Sequence, residues 1–228
     1  MEKLLAFKGD KKLKTMLLEE IGKHRKADQI VQGTYGKMNG IWKGCAVACS
    51  LRSLAILNKE NLVEDYSNHK RYETDLGISR VIARLEDRIF EGLPKEKAIL
   101  WPERFTKAIN VGADLSLVVP KLMIWLMGDI KQFVDKKYPK VLEAIQIVEK
   151  LYRRKLKGEI ITDQEWIDAR KNAYADAAYA AAAADAATAA AAATAAAATA
   201  TTAAYADARQ KYWIKVSDKF IAILKATK

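Results

Sequence analysis

From Glu159 to Lys228 the chain contains neither glycine nor proline, and the middle of that stretch is almost pure alanine. Alanine has the highest helix propensity, and Gly and Pro are the residues that most reliably end a helix. The segment can therefore only be helical. Thr162-Asp-Gln-Glu165 marks its start as a capping box, with the Thr hydroxyl and the Glu carboxylate each taking the other's backbone N–H. As one rod the segment would reach about 95 Å at ~1.5 Å per residue, overhanging the rest of the chain. An interruption is expected at the β-branched cluster Thr199-Ala-Thr201-Thr202, where helix propensity is weakest. The segment then reads as a close-packed helical hairpin, since Ala surfaces let helix axes approach closely. Its last part, Tyr205 to Lys228, regains an apolar stripe through Tyr212, Trp213, Val216, Phe220, Ile223 and Leu224, which should dock on the body.

Two other uses of such a segment are weaker. Ala186 to Ala206 is long enough to span a bilayer and carries no charge, but it holds only Ala, Thr and Tyr205. Ala gains little from leaving water, so no membrane is expected. Thr188, Ala192, Ala195 and Thr199 form one eleven-residue repeat on a single face, the arrangement of an ice-binding alanine-rich helix. It occurs once, and an Ala/Thr segment produces it by chance.

The first 161 residues read as a multi-helix body, giving domains 1–161 and 162–228. Leu13, Leu17, Leu18 and Ile21 put a helix over 11–26. Four glycines between Gly33 and Gly44 make a loop, a helix restarts at Cys45 and runs to about Asn58, and another covers 62–75. Ser79 caps the next, with Val81, Ile82, Leu85, Ile89 and Phe90 as its buried stripe and Gly92-Leu-Pro94 as its stop. Phe105 and Ile109 suggest a further helix. Leu117 to Met127 is apolar nearly all round and should lie at the centre of the core, capped by Asp114 or Ser116 and opened or kinked at Pro120. A helix over Pro139–Leu156 follows. No hairpin signal or sustained alternation is present, so the fold class is all-α.

The net charge is +11, and nearly all of it falls before Thr162, since eight Lys and Arg face seven Asp and Glu from there on. A basic body attracts polyanions. The lysines are scattered rather than gathered into a stripe, so nucleic acid is not the favoured partner. Two cysteines do not make a disulfide framework, and the N-terminus has no apolar stretch of signal-peptide length, which points to a reducing cytoplasm.

Three constellations have chemistry in them. Cys45 and Cys49 share a helix face, and Cys45 would sit in the first turn, where the helix N-terminus favours a thiolate; packing as small apolar groups is the plainer role. His69 and Glu73 are four apart, a spacing suited to metal binding or proton transfer. Cys45, Cys49, His69 and Glu73 would complete a tetrahedral zinc site if their helices met; otherwise no cofactor is implied. Glu86 and Asp87 are adjacent carboxylates that Arg84 and Arg88 stand close enough to pair with. The Gly-rich loop lacks GxxxxGK[ST], and nothing amounts to a catalytic signature.

The order Trp42-Lys-Gly44-Cys45-Ala-Val, Tyr72-Glu73-x2-Leu76-Gly77-Ile78, Leu85-Glu86-Asp87-x-Ile89-Phe90-Glu91-Gly92-Leu93-Pro94, Trp101-Pro102-x2-Phe105 and Val111-Gly112-Ala113-Asp114-Leu115-Ser116 resembles a large family of bacterial and phage-borne proteins. The likeness runs from about residue 40 to the end, through a Trp-initiated alanine-rich tail, here Trp166 to Tyr205. Ser79 stands where members usually have Pro, and the Lys-rich first thirty-five residues match poorly. The resemblance implies this architecture, with no reaction, and a role in phage–host or inter-bacterial conflict. The resulting expectation is a non-enzymatic binding protein for a protein partner or an anionic ligand such as a nucleotide. Trp42, Lys43, His69, Arg71, Tyr72, Glu86, Asp87, Glu91 and Asp114 are its candidate ligand-binding residues. A thiol or metal enzyme built on Cys45, Cys49, His69 and Glu73 is the alternative.

Overall fold

A computed structural model describes residues 4–134, 139–171 and 198–228. The fold is all-α, with ten helices among the described residues. They form α1 (Lys11–Lys26), α2 (Ala46–Leu57), α3 (Lys70–Leu76), α4 (Arg80–Gly92), α5 (Lys95–Ala98), α6 (Trp101–Ala108), α7 (Val118–Ile130), α8 (Pro139–Leu156), α9 (163–171) and α10 (Ala198–Lys225). No described helix is long and apolar enough to cross a membrane. The Gly-rich loop contains what the sequence did not signal, a short antiparallel hairpin of β1 (Lys37–Asn39) and β2 (Ile41–Lys43). Gly40, with φ of 85°, makes its turn. Three-residue strands are too short to show an alternating pattern.

The chain divides into two compact units, at 119/120 and 207/208 rather than at 161/162. The first joins Met1–Val119 to Ala208–Lys228. At its centre lies α2, packed on α1, α4 and α6. Ala46 to Leu51 and Ser53 to Ala55 are all buried. Their small side chains (Ala46, Ala48, Cys49, Ser50, Ser53, Ala55) let three helices close in from different directions, and Ser53 satisfies its hydroxyl on the Cys49 carbonyl at 2.8 Å. The central helix was expected at 117–127 instead. There Val118 and Leu122 are buried, but Met123 to Met127 are only partly so.

Local signals explain the helix ends. Asp10 caps α1 through the Lys12 N–H at 2.7 Å, and Ser79 caps α4 through the Ile82 N–H at 3.4 Å. The helix expected over 62–75 is confined to Lys70–Leu76. Asp65 and Asn68 side chains accept the N–H groups of Ser67 and Lys70 at 2.9 and 3.1 Å, holding the preceding stretch in turns. Val81, placed in the buried stripe of α4, is 53% exposed. The C-terminal part of α10 docks as expected: Phe220 and Leu224 are fully buried, and the Phe220 ring stacks on Phe105 and Trp101. Asn110 then closes the end by donating to the carbonyls of Lys225 and Thr227 at 3.2 and 2.7 Å.

In the second unit, Pro120–Asp207, the capping box at Thr162 forms as read: Thr162 N–H to Glu165 Oε2 is 2.9 Å and Glu165 N–H to Thr162 Oγ1 is 3.3 Å. Trp166 packs on Tyr152 of α8, ring centroids 4.8 Å apart. The expected interruption is absent, because α10 passes through Thr199-Ala-Thr201-Thr202 without a break. Each Thr costs only a few tenths of a kcal/mol relative to Ala, and alanine neighbours outweigh it. The Ala/Thr repeat from Thr188 to Ala195 and any hairpin there lie outside the described residues.

Candidate functional site

The first unit contains a pocket of about 550 Å³ lined by Gly33, Thr34, Tyr35, Cys45, His69, Arg84, Asp87, Arg88 and Glu91. That size suits a small-molecule site. One wall is a face of α4, because positions 84, 87, 88 and 91 recur at the i, i+3, i+4, i+7 spacing of a helical stripe. The opposite wall is the loop 33–35, clamped to the C-terminal end of α4. Gln32 Nε2 donates to the Phe90 and Leu93 carbonyls at 2.8 and 2.9 Å, which caps α4. Gly33 N–H is shared between both Glu91 carboxylate oxygens at 3.0 Å. Gly36 must be glycine, since its φ is 142° and a Cβ would lie 1.6 Å from the Glu64 carbonyl oxygen.

Cys45 is delivered to the floor by a short run of backbone bonds. Val31 N–H donates to the Gly44 carbonyl, Gly44 N–H to the Gln29 carbonyl, and Cys45 N–H to the Thr34 carbonyl at 2.7 Å. Cys45 is then the N-cap of α2, in extended backbone. Burial raises its thiol well above the ordinary range, and the charge of Asp87 adds to this. The amides of Ala48 and Val47 act in the opposite direction. The resting group is a neutral thiol.

Asp87 holds the centre. Its Oδ2 accepts the Tyr35 hydroxyl at 2.6 Å and lies 4.0 Å from His69 Nε2. Burial and this bond raise the Tyr35 phenol, which stays protonated. His69 Nδ1 is 2.7 Å from the Ser67 carbonyl oxygen, which can only accept. In the neutral ring the proton is therefore on Nδ1, and Nε2 carries a lone pair. That Nε2 and Asp87 Oδ1 are both buried without a hydrogen-bond partner. Both can accept a further hydrogen bond, and the Cys45 thiol stands within reach of the Asp87 carboxylate.

The charges around the pocket are unequally satisfied. Asp87 and Glu91 are held by Tyr35 and Gly33, and burial raises Glu91. Arg84 and Arg88, expected to pair with the carboxylates of α4, are exposed and have no ion-pair partner among the described residues. Glu86 points the other way: on a helix its side chain is about 100° from that of Asp87, and it is fully buried with Ile82, Ile89 and Phe90. Burial, with the Asp87 charge adding, raises its carboxyl to about 8. The nearby Tyr72 hydroxyl opposes this, although neither carboxyl oxygen completes a hydrogen bond of normal geometry.

Of the residues predicted from sequence, the pocket thus gathers Cys45, His69, Asp87 and Glu91. Glu86 and Tyr72 are buried and do not line it. Trp42 is core: its Nε1 donates to the Glu64 carbonyl at 3.2 Å, and Arg52 lies over its ring. Lys43 is exposed on β2. Arg71 is taken up by Glu60 and Asp75 at 2.8 and 2.7 Å, and Asp114 receives the Ser116 N–H at 2.9 Å. Cys49 is fully buried and Glu73 holds Arg80, so the four proposed zinc ligands do not meet. Among the described residues, no three His, Cys, Asp or Glu side chains are grouped as a metal site. The sequence reading did not name Tyr35, Thr34, Gly33, Arg84 or Arg88 as site residues. The stripe Arg84, Asp87, Arg88, Glu91 was the available signal, since an amphipathic helix with charges at that spacing has a polar face to explain. No protein family, curated protein or solved structure matches the chain.

Proposed function

We propose that the pocket binds a small anionic ligand, a phosphate or carboxylate compound, with Arg84 and Arg88 receiving the anion. The observation that carries this reading is the imbalance of partners: Asp87 and Glu91 each already accept a hydrogen bond, whereas the pocket's two guanidiniums have no partner among the described residues. Guanidinium–oxyanion hydrogen bonds are among the stronger ones, and both arginines project from one turn of α4. His69 Nε2 and Asp87 Oδ1 would accept hydrogen from the other end of the ligand, such as a sugar hydroxyl or base N–H of a nucleotide. The two free thiols suit a reducing cytoplasm, and the resemblance in sequence would give such a binder a role in phage–host conflict.

Calorimetric titration of inorganic phosphate and a nucleoside monophosphate at low salt tests the proposal. Arg84→Gln and Arg88→Gln should each weaken binding about tenfold or more, given ~1.5–3 kcal/mol per hydrogen bond to a charged group. Absence of binding to the native chain, or equal affinity in both variants, would sink it.

A further inference from the structure

We propose that Cys45 is an acyl-accepting nucleophile, taking the acyl group of a small acyl phosphate whose phosphate is held by Arg84 and Arg88. This rests on the anion-binding reading of the pocket and assigns the ligand a reaction. Three observations meet there. The thiol is fixed at the N-terminus of α2 on the pocket floor by the Cys45 N–H to Thr34 carbonyl bond. An imidazole whose Nδ1 proton is committed to Ser67 shares the pocket and presents a buried, unpartnered Nε2. A carboxylate, Asp87, lies 4.0 Å from that nitrogen and would pair with the ring once it is protonated.

The chemistry balances without a further reactant. Because the resting thiol is neutral, its proton leaves as the sulfur attacks, in the manner of a hydroxyl nucleophile. Cys45 Sγ forms a bond to the carbonyl carbon while its proton passes to His69 Nε2. The amides of Val47 and Ala48 face the sulfur as negative charge develops on it. Collapse breaks the bond from the carbonyl carbon to the phosphate oxygen. The imidazolium returns the proton to that oxygen, so the phosphate leaves as hydrogen phosphate and Cys45 remains as a thioester. Water attacking the thioester, with His69 again taking and returning the proton, would release the carboxylic acid and restore the thiol.

Cys49 is an internal control, since it lies on the same helix, is fully buried and does not line the pocket. The full chain is incubated with acetyl phosphate and followed by peptide mass spectrometry. The expected result is one hydroxylamine-labile acetyl group on Cys45, unaffected by Cys49→Ala. In His69→Gln it should form about 100-fold more slowly at saturating acetyl phosphate, the scale of general-base catalysis. No acetyl group on Cys45 in a protein that binds phosphate overturns the proposal. So does an equal rate in His69→Gln, which would leave Cys45 as an ordinary thiol. Acetylation of Cys45 in a chain that does not bind phosphate would uphold the nucleophile and overturn only the anion-binding reading.

Discussion

Glu86 shows how one residue's step around a helix, about 100°, separates two roles in adjacent carboxylates. Asp87 faces the pocket and accepts the Tyr35 hydroxyl, while Glu86 faces Tyr72 inside the core and is raised to about 8. A buried carboxyl with no good partner is cheapest as the neutral acid. In the unfolded chain the same group titrates near 4.3. Between those values the folded state binds the extra proton, so the group's contribution to stability is complete below about pH 4.3 and is lost as pH rises toward 8. The slope is about 1.4 kcal/mol per pH unit over that window. Glu86→Gln keeps the shape and cannot ionise, so urea unfolding of the variant should show a flatter dependence from pH 5 to 8, with its advantage over the native chain largest at pH 8. Parallel curves would mean that Glu86 is not held neutral by the fold.

Elements were legible where a local signal decides them. Asp10, Ser79 and the Thr162–Glu165 box set helix starts through side-chain bonds that sequence spells out, and α1, α2, α4 and α8 fall close to the expected bounds. The stretch 62–69 was not legible, because the Asp65 and Asn68 turns compete with a helix whose other residues tolerate either state. The pocket was half legible for a different reason. Residue types announce a cysteine, a histidine and an acid, but only packing shows that Glu86 turns inward, that Trp42 is core and that the loop 33–35 folds onto α4. Glycine illustrates the same division. Gly22 and Gly92 both end or interrupt helical runs of the sequence, yet a Cβ at Gly22 meets open space, while at Gly92 it would lie 2.3 Å from the Trp213 ring. Gly22→Ala should therefore stabilise the chain by about 1 kcal/mol through propensity, whereas Gly92→Ala should cost about 1–3 kcal/mol by overpacking against α10. Thermal unfolding of the two variants checks the pair; a shift in the same direction for both would contradict the tight seat of Trp213.

At the scale of the molecule, the unit that carries the pocket is discontinuous in sequence, built from Met1–Val119 and closed by Ala208–Lys228. The last helical turns therefore matter to the pocket by completing the core of the unit that holds it. Ser217, Phe220 and Leu224 are fully buried, Val216 nearly so, and Phe220 continues the stack of Trp101 and Phe105. Trp101 in turn donates its indole N–H to the Glu86 carbonyl at 3.0 Å, on the helix whose other face lines the pocket. Removing the closing helix would expose that aromatic stack and take away the Trp213 ring that packs on Gly92 at the end of α4. A chain ending at Asp207 should thus lose the part of the near-ultraviolet signal that comes from the Trp101, Phe105 and Phe220 stack, with phosphate binding lost in parallel. Phe220→Ala, which creates a cavity in place of removing the helix, should cost about 3–5 kcal/mol while leaving a folded protein able to bind phosphate. Chemical unfolding and calorimetry on the two forms decide the matter: a shortened chain that still binds phosphate would mean that residues 4–119 form their own core, and α10 would then be an accessory to it.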